Sequence, residues 1–406
     1  MRGQSWGGPS SRQTWASIDA GRRSGAATLA IIVLAAVLAR VVSAISSCRV
    51  ALPTNWQAAM AAAPSASIAA DPDYPSGAPA FAVTSDGSSY FASQYSPTWS
   101  GITEVDAITQ RATHVYKFPD GSADQVLSGG MDGRWLVWLD WNLDGQEELL
   151  AWDSSTGSSW TIAAPGSTLW DPGIFFSLDP ASSSGRLAWT MTAALYKGGP
   201  AIPEVLHLYS LRSRRDTTVH RGPVGETFFW HNQLVFSISS GGHQHLLAAS
   251  AASGRPVAVA KAVSETAVAT ADEVWDGQQG IAWVKYSAIG QSDSLWILGQ
   301  GAERATRVLA GSGAGQPTSI FWTDGYLVWN YQTTLPDNGI PSLNTTAITS
   351  VASDSYITPP GAEADAVADG KAMVISWVTQ LPAGKTASVW NSVVLHLDRL
   401  SRPAAC

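Results

Sequence analysis

Apolar residues in this chain come in short runs with alternating polar positions, and each run ends in a Gly, Asp, Asn, Ser or Pro turn signal. The clearest stretch is Asp132 to Ala163, "DGRWLVWLDWNLDGQEELLAWDSSTGSSWTIA". An Asp-Gly pair opens it, an apolar run follows, and a second Asp-Gly leads to another apolar run. Thr156-Gly157 then turns the chain into a third. Hairpin rules predict turn, strand, turn, strand, turn, strand. The Trp138 position recurs as Ala92, Trp138, Trp189, Phe236, Trp283, Trp329 and Ser376, at spacings of 46, 51, 47, 47, 46 and 47 residues.

Seven copies of a meander at one period predict an all-β, seven-bladed β-propeller over residues 65–406. One four-stranded blade cannot bury both its faces, whereas a ring of blades can. The last copy lacks its outermost strand, and "SASIAA", Ser65 to Ala70, is expected to supply it by pairing with Ser392–Leu400. Residues 49–64 are rich in Ala, Pro and Ser and read as a tether.

Composition agrees with a large strand-rich core. Hydrophobic residues make up 45% of the 406 and charged residues 14%, with 19 Trp and 10 Tyr. Charge is uneven along the chain. Residues 1–23 carry a net +3, whereas from residue 49 onwards 19 basic groups stand against 31 acidic ones. So acidic a body argues against nucleic acid as a partner.

"AATLAIIVLAAVLA", Ala26 to Ala39, follows the basic segment. Residues 1–48 are therefore expected to form a cytoplasmic basic tail plus a signal peptide or membrane-targeting helix ahead of the propeller. Three fates fit: a membrane anchor through residues 26–45, lipidation at Cys48, or cleavage after "VSA" and secretion. "ISSC", Ile45 to Cys48, resembles a bacterial lipobox. The expected location is the cell membrane with the body extracytoplasmic, or secreted if cleaved. The two cysteines, Cys48 and Cys406, are too few for a disulfide framework.

Period and turn pattern together resemble seven-bladed propellers of the broad WD40-like, TolB-like class, over about Ser65–Leu400. Trp152-Asp153, ending a third strand, has no counterpart at that position of the other blades, so the resemblance implies fold and little function. One loop adds chemistry. Asp140-Trp-Asn142-Leu-Asp144-Gly145-Gln146-Glu-Glu148 alternates oxygen-bearing side chains around a glycine turn, as a calcium loop does. It resembles the calcium hairpins of FG-GAP propellers, as in integrins, although it occurs once and lacks the flanking Phe-Gly and Gly-Ala-Pro signatures. That resemblance implies one Ca2+ held by Asp140, Asn142, Asp144, Glu148 and the Gln146 carbonyl.

The turns between the first and second strands are tight, at Asp132-Gly133, Asp276-Gly277, Asp324-Gly325 and Asp369-Gly370. Several loops between the second and third strands are long and place Trp99, Tyr196, Tyr286 and Tyr331 as candidate ligand contacts. His243 and His245 are half of a metal site at most. No G-x-S-x-G, H-E-x-x-H or phosphate loop occurs. The leading expectation is a non-enzymatic binding or scaffold module for protein, peptide or glycan. The alternative is a propeller hydrolase or lyase acting on polysaccharide. Carboxylates or histidines clustered at the channel mouth favour the enzyme; an aromatic, uncharged mouth favours binding.

Overall fold

The computed structural model describes residues 48–404 apart from 65, 70–78, 97–98, 120–124, 142–146, 165–173, 181–183, 192–203, 287–291, 311–316, 333–343, 352, 354, 361–363 and 380–388. Two strands and one helix precede the ring: β1 (Cys48–Arg49), α1 (Thr54–Ala62) and β2 (Ala66–Ala69). Blade 1 is β3 (Ala80–Val83), β4 (Ser89–Ser96), β5 (Trp99–Asp106) and β6 (Ala112–Lys117). Blade 2 is β7 (Gln125–Asp132), β8 (Trp135–Trp141), β9 (Glu147–Asp153) and β10 (Ser158–Ala163). Blade 3 is β11 (Ile174–Leu178), β12 (Arg186–Met191), β13 (Val205–Ser210) and β14 (Arg215–Arg221). In blade 4, β15 (Thr227–Trp230), β16 (Gln233–Ser240) and β17 (His243–Ser250) end in a stub, β18 (Pro256–Val257).

Blade 5 is β19 (Glu273–Gly277), β20 (Gly280–Tyr286), β21 (Ser292–Gly299) and β22 (Thr306–Ala310). Blade 6 is β23 (Pro317–Thr323), β24 (Tyr326–Gln332), β25 (Asn344–Ser350) and β26 (Ser355–Ile357), with β1 added in parallel to β26. Blade 7 holds β27 (Ala364–Asp369), β28 (Ala372–Thr379) and β29 (Val389–His396), and β2 pairs antiparallel with β29 as its fourth strand. Each sheet is a meander from the innermost strand outwards. The ring is therefore a seven-bladed propeller closed by its own N-terminal segment. The closing strand pairs with Val389–Ser392 rather than with Ser392–Leu400, and a 3-10 turn at Leu397–Arg399 ends β29 at His396.

The recurring column explains how the blades stack. Ala92, Trp138, Trp189, Phe236, Trp283 and Trp329 each occupy the fourth position of a blade's second strand, and Ser376 the fifth. All seven are buried. The apolar core is divided into clusters that bridge neighbouring blades, for instance Phe91 and Ile102 of blade 1 against Leu136 and Trp152 of blade 2. A buried indole removes roughly 150–250 Å2 from water. Opposite Trp138 on the inner strand lies Gly129, where a Cβ would meet the Phe81 ring at 2.4 Å. Any other residue there would force the Phe81 ring aside.

Residues 49–64 form more than a tether. Helix α1 has no apolar stripe, but Trp56 is fully buried. Its ring meets Tyr326 edge-on at 5.9 Å, and its Nε1 donates to the Ser401 carbonyl at 2.7 Å. One indole thus ties the entering chain to the leaving chain across blades 6 and 7. Residues 26–45 and Cys406 lie outside the described residues, as do the side chains of Cys48 and of β2. Among the described residues no helix is long and apolar enough to cross a membrane.

Candidate functional site: an acidic central channel

The innermost strand of each blade has a sheet neighbour on one side only. Its other edge faces the ring axis, where its N–H groups need acceptors from elsewhere. Carboxylates of other blades supply several of them. Glu147 of blade 2 accepts from Ile174 N of blade 3 at 2.6 Å. Glu226 of blade 4 accepts from Val274 N of blade 5 at 3.0 Å. Asp276 of blade 5 accepts from Phe229 N of blade 4 at 2.6 Å, and Asp132 of blade 2 from Gly185 N, just before the second strand of blade 3, at 2.5 Å. Uncharged groups do the same elsewhere: Ser376 Oγ accepts from Ala80 N at 3.1 Å, and Asn330 brackets Ala366 through both its main-chain groups.

The channel enclosed by these strands has a volume of about 760 Å3. Its described lining includes seven carboxylates: Asp132, Glu147, Asp179, Glu226, Glu273, Asp276 and Asp369. Among the described lining residues there is no lysine, arginine or histidine. Apolar surface lies between the acids. Phe175 is 62% and Leu127 48% exposed on the wall.

The two ends differ. Strand direction puts Asp132, Asp179, Asp276 and Asp369 at the end of the tight turns, and Glu147, Glu226 and Glu273 at the end of the long loops. At the tight-turn end, hydrogen bonds skip a blade. Ser177 of blade 3 donates to Asp276 of blade 5 at 2.6 Å, and Gln278 of blade 5 to Asp369 of blade 7 at 3.1 Å. Enclosure by the wall pushes Asp276 up to about 6 despite the Ser177 and Phe229 donors, and the nearby Asp179 charge adds to the shift. Asp369 is also pushed up to about 6, first by burial and then by the Asp132 charge. At the long-loop end burial carries Glu226 up to about 7, and the Glu273 and Asp272 charges reinforce it.

One expectation about the mouth is met: carboxylates cluster there, the arrangement expected to favour an enzyme. Among the described lining residues no histidine joins them, and several of the acids are committed to main-chain donors of another blade. A committed acceptor holds the ring together and is poorly placed to reach a substrate proton.

Of the four aromatic candidates, the two whose side chains are described, Trp99 and Tyr331, lie apart on different blades. Trp99 stacks flat on His114 at 3.8 Å, on the outer half of blade 1. Tyr331 is buried in the core between blades 5 and 6 and presents nothing to a ligand, because its strand continues past the point where a loop was expected. Tyr196 and the Tyr286 side chain lie outside the described residues. Of the calcium candidates, Asp140 and Glu148 face each other directly across β8 and β9. Asn142, Asp144 and Gln146 lie outside the described residues. His243 and His245 are both exposed on β17, and among the described residues no group of three metal-binding side chains forms.

No protein family profile and no curated protein matches the chain. Solved structures match by shape. An oligogalacturonate lyase from Vibrio parahaemolyticus is 11% identical, with 82% of this chain and 97% of that one covered, at a TM-score of 0.50. The β-propeller domain of the Trilobed protease from Pyrococcus furiosus is 11% identical over 79% and 95%, at 0.47. TolB from Acinetobacter baumannii is 10% identical over 84% and 83%, at 0.38. The likeness is one of fold.

Proposed function

We propose that the protein is an extracytoplasmic, membrane-tethered propeller that acts as a non-enzymatic binding module for protein, peptide or glycan. Its ligand enters at the long-loop mouth of the channel. The observation that carries this reading is the channel lining: carboxylates and exposed apolar side chains, without a basic residue or histidine among the described ones. Such a wall attracts a ligand that is neutral or cationic with an apolar body. Among its described residues it offers no cation to a polyanion. Tethering rests on the basic segment and apolar run of residues 1–45, with Cys48 as a lipidation site in the second form of anchoring. A calcium ion on the Asp140–Glu148 hairpin would sit on the same long-loop face.

The test is an array of peptides and glycans probed with the solubilised full chain, with mass spectrometry of every captured ligand. The expected outcome is capture without cleavage, weakened by Phe175→Ala. Capture followed by chain scission would favour the polysaccharide hydrolase or lyase. Protease added to spheroplasts should digest the body; protection until lysis would contradict the extracytoplasmic location.

A further inference from the structure

A recess of about 190 Å3 opens off the channel at its long-loop end, between blades 3 and 4. Register places its groups on one face of blade 3. Phe175 pairs with Thr190, and Thr190 with Leu206, so these three side chains stand in a row. Glu204, two residues before Leu206, continues that face by strand alternation. The same face carries Ala188 and Leu206 against Phe229 and Leu234 of blade 4. Glu226 closes the recess from the blade 4 side.

Two features of this recess are unusual. Two carboxylates share a small space whose described lining has no lysine, arginine or histidine. Beside them Thr190 is only 6% exposed, and its Oγ1 has no hydrogen-bond partner among the described residues. Buried hydroxyls in folded proteins are nearly always satisfied, so an orphan beside two acids indicates a donor-rich group that comes from outside. Resting on the binding-module reading above, we propose that the recess takes a primary alkylammonium group on an apolar stem, the chemistry shared by a lysine side chain and a linear polyamine.

The match is one of number and charge. An ammonium head has three donors and no acceptor. The acceptors of its described lining include the Glu204 and Glu226 carboxylates and Thr190 Oγ1. Phe175 and Leu206 lie beside them for the methylene stem, and the Phe175 face adds a cation–π contact. A hard divalent cation fits less well, since calcium needs six to eight oxygens and this wall is half apolar.

The experiment is calorimetric titration of the full chain with acetyl-Gly-Lys-Gly-amide, the same peptide acetylated on the lysine, and spermidine. The lysine peptide or spermidine should bind and the acetylated peptide should not. The stronger of the two binders identifies the source of the ammonium. Thr190→Val should weaken binding roughly 3–10-fold, the worth of one hydrogen bond, while Thr190→Ser retains it. Glu226→Gln, which still accepts from Val274 N, should weaken it more than roughly tenfold, as expected for a charged partner. Circular dichroism melts of each variant confirm folding. Binding that ignores both substitutions, or equal binding of the acetylated peptide, overturns the proposal. If the array yields ligands but no amine binds, the ammonium site is wrong and the binding module stands. If neither yields binding, both fall.

Discussion

The two ends of the channel carry the same charge and use it differently. At the tight-turn end Asp276 and Asp369 accept bonds from blades two places away, so the acids draw the ring together. At the long-loop end Glu147 and Glu226 each bind one main-chain N–H of the adjacent blade, and an unsatisfied threonine hydroxyl lies beside Glu226. Acid count therefore does not locate function here. What distinguishes the ends is whether the acceptors and their neighbours are satisfied within the protein.

The largest expected effect is a control remote from both mouths. Trp56→Ala should cost about 3–5 kcal/mol through lost burial and a cavity, and leave ligand binding unchanged well below the melting temperature. Altered binding would mean that stability alone moves the site. Next, Asp276→Ala strands the Ser177 hydroxyl and Phe229 N–H and should cost about 2–4 kcal/mol, whereas Glu226→Gln should cost less than about 1 kcal/mol because its N–H partner keeps an acceptor. Equal losses in denaturant melts would erase the distinction between the mouths.

Calcium tests the long-loop face from another side. If the Asp140 hairpin binds the ion, saturation a hundredfold above the dissociation constant adds roughly 2.7 kcal/mol, and Asp144→Ala removes that gain. A wild-type midpoint unmoved by millimolar calcium would make the loop an ordinary turn.

A smaller effect follows from acidity. Glu226, Asp276 and Asp369 titrate at about 7, 6 and 6 in the folded chain, above the usual carboxylate range. Between the usual range and those values the folded state holds more protons than the unfolded one. Their contribution therefore favours folding at low pH and is lost as pH rises through about 6–7. Asp86 and Asp106, held low by hydrogen bonds from Ser88 and Thr109, act oppositely and only in stronger acid. The melting temperature should thus be higher near pH 5 than near pH 8, and the triple variant Glu226→Gln, Asp276→Asn, Asp369→Asn should flatten that slope. A melting temperature that rises from pH 5 to pH 8 would contradict the shifts.

The ring was legible because stacking blades needs a bulky or tightly fitted residue at one point of every second strand, and that need recurs at 46–51 residues. The closing strand was legible from the strand missing in blade 7. Helix α1 was not, since one buried indole anchors it and no periodic stripe announces it. The channel acids were visible yet read differently. Asp132, Asp276 and Asp369 each precede a glycine, and Asp-Gly is a strong turn signal in any chain. Only the closed ring shows that these side chains reach the axis. Thr190, Glu204 and Glu226 carry no motif, and three-dimensional register alone brings them together.

Carboxyl footprinting of the full chain, with and without a captured ligand, tests the central claim most directly. Carbodiimide-driven labelling followed by peptide mass spectrometry reads each acid separately. Ligand should protect Glu204 and Glu226 and leave Asp276 and Asp369 unchanged. Protection confined to the tight-turn end, or none at any channel acid, would contradict it.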